Sequence, residues 1–181
     1  TDITTTGVDD LVVGSDTSDS GNLKKVQLVN LKGSRLLDSS STQTGTPAST
    51  VETDLVSYTM PANTIGNTGE VVYIKAYGTT AANGNTKTLK LYVGATVQSQ
   101  NSTTTAANNL NWTCEAWFVR TGATGQKGVV KWSFDTVADE IDVFSDSEDF
   151  TAIMNLKITG TNGSSSANDI VIQGWSVVKE G

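Results

Sequence analysis

Carboxylates are the side chains in this sequence gathered most densely for chemistry. Asp142, Asp146, Glu148 and Asp149 fall within eight residues, with Asp139 and Glu140 just before them. Two uses follow from such a cluster. A pair of carboxyl groups can cleave a glycosidic bond. Several together can hold calcium, which takes six to eight oxygens at about 2.3–2.6 Å. Asp146-Ser147-Glu148-Asp149 lacks the glycine and the regular spacing of a known calcium loop. Asp142, Asp146, Glu148 and Asp149 are therefore the candidate metal ligands, with calcium as the ion. A solvated acidic loop around Phe144 and Phe150 is the competing reading, and the one the sequence favours. No cofactor is expected. Other reaction classes are closed by residue type: the chain has no histidine, so no Ser-His-Asp triad, Cys-His dyad or His-ligated zinc can form. Cys114, the single cysteine, excludes a thiolate cluster and an intrachain disulfide. It lies mid-strand in the apolar phase, as a buried small hydrophobe rather than a nucleophile.

Aromatic residues offer a different chemistry, that of contact. An exposed Trp or Tyr plane can stack on a pyranose ring, and both residue types are enriched at subunit interfaces. Phase separates the core aromatics from the others. Trp112 shares a face with Leu110, Cys114 and Phe118, and Trp132 lies between Val130 and Phe134, so both belong inside. Trp117 falls on the opposite face, with Glu115 and Val119. Tyr73, Tyr77 and Tyr92 also lie opposite the more apolar faces. Trp117, Tyr73, Tyr77 and Tyr92 are the candidate ligand-binding residues.

The elements that must position them are strands. Val72, Ile74 and Ala76 alternate with Tyr73, Lys75 and Tyr77; Leu89, Leu91 and Val93 alternate with Lys90 and Tyr92; Met154, Leu156 and Ile158 alternate with Asn155 and Lys157. This period-two pattern puts one set of side chains on each sheet face. Asn83-Gly84-Asn85, the glycines of residues 122–128 and Gly160-Thr161-Asn162-Gly163 punctuate the runs as turns. Residues 122–128 read as a hairpin loop; they lack the Gly-Lys-Ser/Thr ending of a phosphate loop. No stretch carries a convincing helical stripe, although residues 135–140 could hold one turn. Seven or eight strands over about 130 residues imply an all-β chain, an antiparallel β-sandwich of jelly-roll-like type.

Three regions are expected. Residues 1–38 form a short extended N-terminal tether or oligomerisation segment, with β-prone runs at Leu11-Val12-Val13 and from Lys24 to Leu31, flanking an Asp- and Ser-rich patch. Two strands alone are marginal in water. Residues 39–50 have no apolar period and read as a linker. Residues 51–181 form the sandwich head.

Charge narrows the partners. The formal net charge is −7, which disfavours nucleic acid, whose affinity rests on cations, and an anionic membrane surface. No apolar run approaches the roughly 20 residues that span a bilayer as a helix. A single unpaired cysteine fits assembly in a reducing cell.

The run from Glu52 to Thr64 (ETDLVSYTMPANT), that from Gly69 to Gly78 (GEVVYIKAYG) and Trp117-Phe118-Val119-Arg120-Thr121-Gly122-Ala123 resemble a module of bacteriophage structural proteins, mostly of tail or head fibres. Asp9-Asp10-Leu11-Val12-Val13-Gly14 with Gly21-Asn22-Leu23-Lys24-Lys25-Val26 is similar to the segments that tether such modules. The resemblance covers about two thirds of the chain. It implies a non-enzymatic virion protein, assembled in the bacterial host cytoplasm. It also implies a homotrimer, joined to other virion proteins through its N-terminal segment, whose sandwich attaches to a host cell-surface glycan or serves as a spacer. No catalytic residues transfer with it, and no enzyme is expected. The alternatives are a stand-alone carbohydrate-binding module and a capsid decoration protein.

Overall fold

Leu89, Leu91 and Val93 fall on one side of an extended chain and Lys90 and Tyr92 on the other, and the structure buries the first set completely. The same logic builds the rest. The computed structural model describes residues 11–15, 23–27, 33–103 and 109–181. It divides the chain into two units, Thr1–Gly33 and Ser34–Gly181.

In the first unit, β1 (Leu11–Ser15) and β2 (Leu23–Gln27) pair antiparallel, Val13 opposite Lys25. The acidic patch expected at residues 16–20 lies outside the described residues.

The second unit is an antiparallel β-sandwich. Its larger sheet contains β3 (Arg35–Ser40), β4 (Thr44–Gly45), β6 (Val71–Thr80), β9 (Asn111–Arg120), β10 (Gly125–Phe134), β11 (Val137–Ser147) and β13 (Ile170–Glu180). The order across it is β11-β10-β9-β6-β13-β3, with β4 also paired to β13. The smaller sheet contains β5 (Thr53–Met60), β7 (Lys87–Val93), β8 (Thr96–Thr103) and β12 (Met154–Asn162), in the order β5-β12-β7-β8. The chain changes sheet at every connection from β4 to β7, again from β8 to β9, and twice between β11 and β13. Three tight hairpins keep it within a sheet. The one between β7 and β8 turns at Gly94, whose φ of 66° suits a residue without Cβ.

The core lies between the two inner faces. Ile74, Trp112, Phe118 and Trp132 come from the large sheet, and Leu89, Leu91, Leu156 and Ile158 from the small one. The Trp112 and Trp132 rings meet at 6.2 Å between centroids, tilted by 55°, a favourable edge-on arrangement. Both tryptophans and Cys114 are buried, as their phase requires.

Four readings of the sequence differ from this structure. Residues 39–50 do not stand apart as a linker: β3 runs to Ser40 and pairs with β13, and β4 pairs with it as well. Buried Thr46 completes the docking, its amide donating to Ile170 O at 2.9 Å and its hydroxyl accepting from Ile170 N at 3.2 Å. Backbone and hydroxyl bonds hold this segment, so it needs no apolar period. The compact unit therefore begins at Ser34 rather than at residue 51. Residues 135–140 hold a two-residue turn and the start of β11 in place of a helical turn. The acidic stretch is mostly strand rather than loop. The loop of residues 122–128 is shorter than expected, because β10 begins at Gly125.

Candidate functional site

Trp117 on β9 stands directly opposite Tyr73 on β6, on the outer face of the large sheet. Inward neighbours Ala116 and Phe118 are buried, while Trp117 keeps 44% and Tyr73 36% of its surface exposed. The register carries the row across the sheet. Tyr73 faces Val178 on β13, and Val178 faces Leu36 on β3. On the other side Trp117 faces Val129 on β10, and Val129 faces Val143 on β11. One apolar row thus crosses six strands.

The next row along the strands is charged. Lys75 faces Glu115 and Glu115 faces Lys131. Lys75 Nζ lies 3.2 Å from Glu115 Oε1, and Lys131 Nζ lies 2.8 Å from Asp139 Oδ2. Such exposed pairs add little stability, but they leave this part of the face close to neutral. One row further, Tyr77 is 53% exposed and faces Thr113. Its ring lies over Gly174, where a Cβ would sit 2.4 Å from ring atom Cε1. Any other residue at 174 would push the tyrosine off the sheet.

Three of the four expected aromatics therefore share one face. The fourth does not join them. Tyr92 lies on the outer side of the small sheet, where its hydroxyl donates to Glu52 Oε1 at 2.6 Å and Lys157 Nζ stands 4.9 Å over its ring. Glu52 also accepts from Lys90 Nζ at 2.6 Å and from Thr159 Oγ1 at 2.7 Å. Burial works to raise the Glu52 carboxyl, but the hydrogen bonds from Lys90, Tyr92 and Thr159, with the Lys90 charge, outweigh it and hold the group at about 2. The bond to Glu52 raises the Tyr92 phenol above its ordinary value. This is a structural hub that ties β5, β7 and β12 together.

The four candidate metal ligands are not brought together. Asp142 and Asp146 lie on one side of β11, four residues and so about 13 Å apart along the strand. Both point at β8. Asp142 accepts a hydrogen bond from Ser99 Oγ, and Asp146 Oδ2 accepts from Gln98 Nε2 at 3.4 Å. Glu140, on the same side, accepts from Asn101 Nδ2. Glu148 turns to the β7–β8 hairpin, its carboxylate against Gly94. Asp149 Oδ1 accepts from Thr151 N at 2.9 Å and from Thr151 Oγ1 at 2.6 Å, and these bonds lower its carboxyl from the ordinary range. Among the described residues, no group of three or more Asp, Glu, Cys or His side chains could hold a metal ion. The Cys114 thiol is fully buried, which pushes its ionisation up and leaves it unreactive.

The sequence reading missed the aliphatic part of the apolar row, and a signal for it was present. On β11, Ile141 and Val143 alternate with Glu140 and Asp142. The carboxylates face β8 and the aliphatics face outward, the reverse of the usual arrangement on a half-buried strand.

No family model and no curated protein matches this chain. Solved structures give distant likenesses. The CBM2 module of the Lactobacillus casei BL23 phage J-1 evolved Dit is 10% identical with a TM-score of 0.38, over 67% of each chain. The infectious bursal disease virus Gt strain structure is 16% identical with a TM-score of 0.32, over 95% of this chain and 38% of that one. The VP2 subviral particle of the same virus is 13% identical with a TM-score of 0.33, over 94% of this chain. The chain spans little more than a third of the length of these two viral chains. Likenesses at this level say nothing of ligand or partner.

Proposed function

We propose that this chain is a non-enzymatic structural module of a phage virion appendage, working by contact at the outer face of its large sheet. The observation that carries this reading is the exposed Tyr73–Trp117 pair at the centre of a row crossing six strands. The sequence resemblance supplies the virion setting, and the separate N-terminal strand pair is the segment that joins other virion proteins. The placement of the carboxylates supports a module without a reacting centre: Asp142 and Asp146 are each tied to β8, and Asp149 to its own turn. Immunogold electron microscopy of virions with antibody to this chain tests the reading. Label confined to a tail or head appendage is the expected result, and unlabelled virions would overturn it.

A second reading rests on the same aromatics. Trp117, Tyr73 and Tyr77 on one face could stack on the sugars of a host-surface polysaccharide, as in a carbohydrate-binding module. It predicts a saturable change in tryptophan emission on titration with that polysaccharide, lost in Trp117→Ala.

A further inference from the structure

On β11 the carboxylates Glu140, Asp142 and Asp146 face the chain's own interior beside Phe144, while Ile141 and Val143 face away from it. The inward carboxylates have their explanation in the polar residues of β8. The outward aliphatics have none within the described residues. Val143 is 83% exposed and Ile141 61%. At the opposite edge of the same sheet, Leu36 on β3 is 59% exposed. Between these edges the apolar row is unbroken through Val178, Tyr73, Trp117 and Val129. Isolated exposed hydrophobes need no explanation, but a contiguous apolar strip with charged neighbours marks a covered surface.

We infer that the outer face of the large sheet packs against the same face of a second copy of this chain. This deepens the proposed function by naming the partner at its contact face, and it rests on that reading only for its biological setting. Three observations favour a second copy. The first is size. Five strands of about ten residues and the six-residue β3, spaced by about 4.8 Å, make a face of about 800 Å², close to the area each partner contributes to a standard stable interface. The second is charge. The chain carries −7 overall, so two copies repel at most orientations. Beside the row, however, Lys75 is paired with Glu115 and Lys131 with Asp139, so this strip of the face is close to neutral and two copies meet there without net repulsion. The third is the chemistry of the ends. Leu36, Ile141 and Val143 give a pyranose neither a flat plane nor a hydrogen bond, whereas another aliphatic face fits them. A patch that pairs with itself closes as a two-fold dimer, a different association from the homotrimer that the sequence resemblance implies.

Trp117 is the built-in probe, because Trp112, Trp132 and Trp175 are all buried. Acrylamide quenching of the full chain across a dilution series therefore reads the exposure of this one indole, while light scattering reads the mass. The expected result is a mass rising toward twice that of one chain with concentration, with quenching falling in step. Val143→Lys, at a side chain that touches little of its own fold, is expected to abolish both changes; Val51→Lys, also exposed, should abolish neither. Three results would overturn the inference. A 19.0 kDa species at every concentration would do so, including one whose Trp117 is protected, since another part of the chain would then cover the face. Assembly that leaves Trp117 quenchable would place the contact elsewhere. Polysaccharide binding to Trp117 by a chain that never associates would give the face to a glycan. None of these results changes the immunogold labelling, so failure of the dimer and failure of the appendage reading are separately visible.

Discussion

The indole Nε1 of Trp132 donates a hydrogen bond to the hydroxyl of Ser99 at 2.8 Å. Trp132 lies in the large sheet and Ser99 on the edge strand of the small one, so this bond joins the two layers along their open side. Ser99 in turn donates to Asp142. A buried indole thus reaches a strand-borne carboxylate through one hydroxyl, where a sandwich would ordinarily close with apolar side chains.

Ser99→Ala removes both bonds and leaves the Trp132 N–H buried without a partner. A loss of about 1–3 kcal/mol in urea unfolding is expected, the cost of an unsatisfied buried donor. Trp132→Phe/Ser99→Ala should lose less than the two single changes added together, because the two side chains act as one unit. Strict additivity would show that the bond contributes nothing.

Glu52 makes stability depend on acid. Its folded value of about 2 lies below the ordinary 4.5. The folded state therefore holds this proton less readily than the unfolded one. Its stabilisation is fully present above about pH 4.5 and is lost as pH falls toward and through about pH 2. Glu52→Gln should cost about 1–2 kcal/mol at pH 7, the range for hydrogen bonds to a partly exposed charged group. Wild type and variant should converge near pH 2. Unfolding curves at pH 7, 4, 3 and 2 check both statements; a gap that stays constant with pH would contradict them.

Asp169 fixes the loop between β6 and β7. It is fully buried and accepts from Asn83 Nδ2 at 2.6 Å and Asn85 Nδ2 at 2.8 Å. Buried Lys87 holds the same loop by donating to Asn83 O, Asn83 Oδ1 and Asn85 O, each at 3.0 Å. Burial opposes the charge of each group. Asp169→Ala should thus strip a buried cation of its counter-charge and two amides of their acceptor. About 3–5 kcal/mol of destabilisation is expected, measured by thermal unfolding. Asp169→Asn keeps an acceptor oxygen and should cost less.

The sandwich was legible in the sequence wherever apolar residues alternate, as at Leu89, Leu91 and Val93 or at Trp112, Cys114 and Phe118. Phase also separated exposed Trp117 from buried Trp112 and Trp132. What could not be read was held by polar bonds. β8 reads Thr-Val-Gln-Ser-Gln-Asn, and its partners are carboxylates some 40 residues away on β11. β3 and β4 pair with β13 through backbone groups, which every residue carries. The site was half legible for a related reason. Tyr73, Tyr77 and Trp117 announce themselves by type, but that Tyr73 faces Trp117 and Tyr92 does not is a matter of strand order, which no local pattern encodes.

Calcium separates the two explanations of the acidic stretch. If Asp142 and Asp146 served one ion, they would have to converge on a few ångströms of space. Extended backbone instead holds them about 13 Å apart on β11, each on its own β8 partner. A cation site at a hundredfold excess over its dissociation constant would raise stability by about 2.7 kcal/mol. The expected result is a melting temperature unmoved by millimolar calcium or by EDTA. Asp142→Ala should be destabilised by the same amount in both, because what it loses is the bond from Ser99 and not an ion. A loss seen only in calcium would assign the carboxylate to a metal instead.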